Sequence, residues 1–359
     1  MGQRPNFGAC LGRTFREERT SAFVKRPDDP TTQAMTRYRA LSAHLMARFG
    51  ERVQRVVLAG GFTCPNRDGT KGRGGCTFCS AIAMKAPHVE SEDLRRQLAE
   101  GMERMERRYG AKRFLAYLND FSATYAPVPR LRRLYEAALS DSRVVGLALG
   151  TRPDCLPEDV LDLLTEVNEK TYLWVELGLQ SASDATLQRI NRGHDVSEFQ
   201  VATKRLAARG IAVCAHVILG LPGEGLTEFR ATASLVSNLP LAGVKLHNLH
   251  VLRGSAMERE HELGGIPVFD KDQYVDAAID FLEHIPASLV VHRLVADAPR
   301  RLVVAPQWMQ DKNAALSAIR QRLVTEDRWQ GRALGDPRNA PHEILEALDV
   351  PQVSQHRQD

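Results

Sequence analysis

The chain has 359 residues, 43% of them hydrophobic and 26% charged, with a formal net charge of +4 at pH 7. That is enough apolar material for one large core, with or without a small appendage, and the charge density is that of a globular chain rather than a disordered one. A continuous run of about 18 apolar residues is absent, which argues against a transmembrane helix; the amino-terminal stretch has no apolar signal-peptide core and carries Glu17 and Glu18. A cytoplasmic protein is expected, with its six cysteines reduced. The mild basicity permits contact with RNA or an anionic metabolite, and an ordinary soluble surface accounts for it as well.

Residues 1–34 read as an extension, polar and broken by RPDDPTTQ, and Met35 is a second candidate start. TRYRALSAHLMARFG then reads as an amphipathic helix ending at Gly50. From Arg55 a strand–helix rhythm sets in. Its strands are RVVLAG, RFLAYL, RVVGLALG, YLWVELGL, IAVCAHVILG, GVKLHNLHV and SLVVHRLVA. Helical segments separate them, among them SEDLRRQLAEGMERMERRYG and PEDVLDLLTEVNEK, with acids early and bases late along the helix dipole. After residue 305 the rhythm weakens to a closing helix, AALSAIRQRLVTEDRW, and a tail. The expected layout is an extension (1–34), a core (35–305) and a C-terminal helical segment with tail (306–359).

The strands are continuous apolar runs, the pattern of parallel strands covered by helices on both faces. Repeated β/α units imply an α/β fold, either a doubly wound sheet or a partial or complete barrel. Polar residues stand at the carboxyl ends of the strands: Cys64, Asn119, Thr151, Gln180, Gly220 and His250. In a parallel barrel these ends share one mouth.

The segment GGFTCPNRDGTKGRGGCTFCS holds three of the six cysteines, Cys64, Cys76 and Cys79. Thiolates ligate iron, and a cluster needs several of them converging on a small volume. Closing the longer first gap costs only about 1 kcal/mol more in loop entropy than a short one, and Gly69, Gly72, Gly74 and Gly75 let the backbone turn tightly. Three ligands rather than four leave one iron of a [4Fe–4S] cluster open. The other reading is a zinc site completed by His88 or Cys155. A thioredoxin-like pair leaves Cys64 idle.

Cys76-Thr77-Phe78-Cys79, with the whole string from Gly60, resembles the radical S-adenosylmethionine (SAM) superfamily, in the YhcC-like branch related to the Elongator catalytic subunit and to oxygen-independent coproporphyrinogen oxidase. The resemblance runs from Arg37 to Trp308 through GTRPD, ELGLQS, INRGHD, HVILGLPGEG and KLHNLHVLRGS. The first cysteine spacing departs from the superfamily's usual three residues, being eleven here. The resemblance implies a partial (β/α)6 barrel and a cluster on Cys64, Cys76 and Cys79 that binds SAM. It also implies a reductant such as flavodoxin or ferredoxin, and a deoxyadenosyl radical that takes hydrogen from a tRNA base or a small metabolite.

By the same motifs, Gln180 and Arg192 fall where relatives bind SAM, and arginine suits a carboxylate; an ordinary helix end is the other reading of Arg192. His216 stands where some relatives carry an aspartate near the ribose, or is a satisfied core histidine. Thr151 and Arg152 belong to GTRPD, where Gly150 replaces a glutamate frequent in relatives. Glu176, a carboxylate inside an apolar strand, needs a partner, either the SAM ribose or Arg152. Gly220 lets the backbone approach the adenine, or makes a plain turn. Lys245, His247, His250 and Arg253, with His292 and Arg293 behind them, form a basic rim, for an anionic substrate or for solvent. The alternative function is a zinc-stabilised RNA-binding module, supported by MERRYGAKRF and PRLRR.

Overall fold

The computed structural model describes residues 37–84 and 93–337. The extension at 1–34, Met35, His88 and most of the tail lie outside the described residues. Among the described residues nine strands form: β1 Val53–Leu58, β2 Arg113–Leu118, β3 Val144–Thr151, β4 Tyr172–Gln180, β5 Ala212–Leu219, β6 Gly243–Asn248, β7 Val251–Leu252, β8 Val290–Arg293 and β9 Val303–Ala305. The helices are α1 Leu41–Phe49, α2 Ala81–Met84, α3 Leu94–Tyr109, α4 Val128–Ala138, α5 Glu158–Lys170, α6 Asp184–Arg189, α7 Val196–Ala207, α8 Leu226–Ser237, α9 Ala256–Glu262, α10 Lys271–Glu283 and α11 Lys312–Thr325.

Seven strands make one curled, wholly parallel sheet in the order β1-β2-β3-β4-β5-β6-β8, an open partial barrel. Along β4 the two-residue alternation of a strand sorts its side chains. Leu173, Val175, Leu177 and Leu179 join the core beneath the helices, while Trp174 and Glu176 belong to the inside of the curl. Both faces are buried, which is why the strands read as unbroken apolar runs. The covering helices start at well-made caps: Asp195 and Glu198 form a capping box on α7, and Asp270 and Gln273 another on α10.

At the amino ends of the strands, α1 closes the curl from below. Its Leu41 and Leu45 pack with Val53, Leu115, Trp174, Cys214 and Val290 in a separate apolar cluster. Just before α1, the Val291 N–H donates to the Arg39 carbonyl at 2.7 Å, so residues 39–40 extend the sheet edge beside β8. The C-terminal helix α11 does not stand apart: Ala315, Ile319 and Leu323 are fully buried in the main core, alongside α10. β7 and β9 form a short antiparallel pair.

Candidate active site

A cavity of about 1050 Å³ opens at the carboxyl ends of the strands, and Cys64, Cys76 and Cys79 all line it. The eleven-residue loop between Cys64 and Cys76 is firmly held. Asn66 donates through Nδ2 to the Asn191 carbonyl at 2.6 Å, Asn191 donates through Nδ2 to the Gly75 carbonyl at 2.9 Å, and the Thr77 N–H donates to Ile190 at 2.9 Å. Arg67 donates to the Cys79 carbonyl at 2.6 Å, and Lys71 pairs with Asp154 at 3.0 Å. Two motifs distant in sequence, INRGHD and GTRPD, thus clamp the cysteine loop. Asn66 and Asn191 escaped the sequence reading: each looks like an ordinary loop polar residue, and only their mutual docking gives them a task.

Arg192 Nη1 lies 3.5 Å from Cys76 Sγ, and its Nη2 donates to the Gly178 carbonyl at 2.9 Å. A Cβ at position 178 would stand 2.4 Å from that Nη2, so glycine is needed there to admit the guanidinium. Burial, then the neighbouring Cys76, raise the pKa of the Cys79 thiol, against the pull of Arg67. Among the described residues, no three His, Cys, Asp or Glu side chains are grouped to hold one metal ion. Zinc draws its ligands to within about 2.3 Å of a single centre, whereas a four-iron cube keeps its thiolates farther apart. Arg67 Nε and Arg192 Nε, beside the thiols, lack hydrogen-bond partners. An all-thiol donor set flanked by unfilled cationic donors fits an anionic iron–sulfur cluster. Cys155, the other described zinc candidate, is buried beside Asp154, and burial pushes its thiol up to about 12.

Arg152 does not meet Glu176. Its fork holds Asp154 through two bonds of 2.8 Å, and its Nη1 donates to the Arg192 carbonyl at 2.8 Å. Only Pro153 separates Arg152 from Asp154, and the turn after β3 folds the pair together; the strand register instead sets Glu176 opposite Gly150. Thr151 shares a 2.7 Å hydrogen bond with Thr124. A side chain in place of Gly150 would have to displace Asn119, whose Oδ1 lies 2.5 Å from where a Cβ would stand. Gln180 lines the cavity with φ +78°, a strained value for a side-chain-bearing residue. Gly220 does not line the cavity; its φ is +91° and Phe269 packs against it.

The partners of Glu176 lie on four other strands. Its carboxylate accepts from Lys245 Nζ and Tyr117 Oη at 2.5 Å each, and meets His216 Nε2 at 2.9 Å and His292 Nδ1 at 3.1 Å. Burial by itself raises the Glu176 pKa. Lys245 and the two imidazoles more than reverse this and hold the carboxyl well below the usual range. Burial lowers Lys245 to about 8 against the pull of Glu176, and lowers His216 to about 4. Removing either partner would leave an uncompensated buried charge, at about 3–5 kcal/mol. Lys245 is therefore not a rim residue: it is 3% exposed and sits level with His216 across the β5–β6 register. His247 and Arg293 line the cavity and bond each other at 2.7 Å. His250 also lines it, whereas Arg253 and His292 do not.

A parallel partial barrel with a CxxC-bearing loop over its mouth defines a radical SAM enzyme, and the chain belongs to the radical SAM superfamily. The superfamily profile matches residues 62–236, and that of the radical SAM C-terminal domain matches 241–325. The chain is 42% identical to Protein YhcC of Escherichia coli K12, over 83% of this chain and 96% of that protein. A tRNA uridine(34) acetyltransferase of Dehalococcoides mccartyi is 25% identical, over 58% of this chain and 46% of its own. The solved Elp3 of the archaeon Methanocaldococcus infernus superposes with a TM-score of 0.60 at 17% identity, covering 77% of this chain and 64% of that one. Among the described residues, no helix is long and apolar enough to cross a membrane.

Proposed function

We propose that Cys64, Cys76 and Cys79 hold a [4Fe–4S] cluster whose remaining iron takes SAM. The observation that carries this reading is that all three cysteines line one cavity, with Arg192 3.5 Å from Cys76 Sγ. Bound there, the cluster and SAM would supply one-electron cleavage and hydrogen-atom abstraction. Arg192, held in place by the Gly178 carbonyl and, through its own carbonyl, by Arg152, would bind the methionine carboxylate of SAM. Gln180 presents its amide at the same wall, and His216 stands below it in contact with Glu176. Thr151 steadies the turn after β3 through Thr124. The apolar plug at the barrel base keeps bulk water from entering beneath the reaction chamber. Gly220, at φ +91°, shapes the turn after β5.

The reaction needs an external electron, from a carrier such as flavodoxin or ferredoxin. The substrate is a tRNA base or a small metabolite; the cationic lining of the cavity, with Arg300 and Arg301, suits either. In this reading residues 37–337 act as one catalytic body. Anaerobic reconstitution should yield about four irons per chain, and reduction with SAM should release 5′-deoxyadenosine. Each of C64A, C76A and C79A should lose the cluster. R192K should keep the iron but cleave SAM at least about tenfold more slowly, because a point ammonium cannot reproduce the guanidinium fork. A single-cysteine variant with a complete, working cluster would overturn the assignment.

A further inference from the structure

Two guanidinium groups of the cavity have no anion of their own. Arg55 on β1 and Arg293 on β8 come from the two edge strands of the curled sheet, and both line the cavity. Arg55 Nη1 is 3.6 Å from Glu176 Oε1, beyond hydrogen-bond reach, and it has no hydrogen-bond partner. Arg293 donates through Nη2 to the His247 ring at 2.7 Å, and its Nε has no partner. Glu176 is already taken up by Lys245, Tyr117, His216 and His292. The other acid of the cavity lining, Asp297, is 60% exposed and paired with Lys312. The floor therefore carries three cations (Arg55, Lys245 and Arg293) against one carboxylate, an excess of two positive charges. These two imidazoles add no charge at neutral pH, since burial holds His216 near 4 and His247 well below its ordinary value. Burial, reinforced by the charge on Arg55, also lowers the pKa of Arg293.

Cations drawn partly out of water, as Arg55 is with 30% of its side chain exposed, are costly unless a ligand neutralises them. We propose that Arg55 and Arg293 form a subsite for a carboxylate group of the substrate, a proposal that rests on this cavity being the reaction chamber. A carboxylate fits better than a phosphate. Its two oxygens can take one unpartnered N–H from each arginine, Arg55 Nη1 and Arg293 Nε, whose charges act on one another. A phosphate, with more terminal oxygens, calls for more donors than this pair presents.

The test uses anaerobically reconstituted protein with SAM, titrated with acetate, acetamide or inorganic phosphate at constant ionic strength. Acetate should raise the thermal midpoint saturably and acetamide should not. R293Q and R55Q should each weaken the acetate response by about tenfold or more while retaining iron and SAM binding. Without acetate both variants should melt no lower than the wild type, because each removes an unpaired cation; a purely structural arginine would melt lower when replaced. The proposal fails if acetate acts as chloride does, if both variants respond like the wild type, or if phosphate binds in preference. Failure of the wild type to take up iron would overturn the cluster assignment instead, and the acetate titration would then be judged on the apoprotein by the same criteria.

Discussion

Among the described residues, burial lowers the pKa of six histidines, so protonating them in acid should work against the fold. His44, His216 and His250 are each lowered to about 4, His194 to about 3, and His247 and His292 are also lowered, with burial the largest cause throughout. Each folded pKa lies below the unfolded value of about 6.5. Between those limits the unfolded chain binds more protons, so stability climbs with pH from about 4 to 6.5 and is lost as pH falls through that window. Glu176, also depressed, adds a loss of the same sign below its unfolded pKa of about 4.3. His44 isolates the effect, since it lies in α1, away from the cysteines, with Tyr172 Oη 2.7 Å from its Nε2. Urea unfolding of H44Q between pH 6.5 and 4.5 should show roughly 2 kcal/mol less acid-induced destabilisation than the wild type. Equal slopes would mean that His44 does not titrate with folding.

Among the elements, α1 has the clearest separable role. It is short, and no side chain caps its N-terminus, so packing rather than capping holds it. Leu45, 3% exposed, fills the space under Trp174 and Val290. L45A should cost about 2–5 kcal/mol, read as a lower urea midpoint. Iron uptake by the folded variant should match the wild type, because the cysteines stand at the opposite ends of the strands. A variant with wild-type stability would show that α1 is not the plug. The cysteine loop follows the reverse logic: it packs little apolar surface and is held by specific hydrogen bonds from two distant motifs.

Over the whole molecule, the two ends of the described chain are joined through one side chain. Gln330, 0% exposed, accepts from the Arg39 N–H at 2.9 Å and donates to the carbonyls of Pro286 at 2.6 Å and Leu289 at 2.9 Å. Its own N–H donates to the Arg37 carbonyl at 2.9 Å. This knot holds residues 37–40 against β8, the edge strand that carries Arg293. Q330A would leave several buried backbone groups unpaired, and should lower stability by about 2–3 kcal/mol, measured by urea unfolding. Unchanged stability would place the edge under the control of α11 alone.

The parallel α/β architecture was legible in the unbroken apolar strands, because burial on both faces imposes that composition wherever it occurs. The grouping of the three cysteines was legible as well, and folding brings all three to one cavity: spacing within one loop is a local property that survives in the chain. Gly178, Asn66 and Asn191 could not be assigned from their neighbours in sequence, since each answers to a group brought near only by folding. The same holds for Glu176. A buried carboxylate announces that it needs a partner, and only the register of five strands decided that the partners are Lys245, Tyr117, His216 and His292 rather than Arg152. Where neighbouring residues suffice to build a feature, sequence determined it; where charges from separate strands must balance in a closed space, the tertiary structure did.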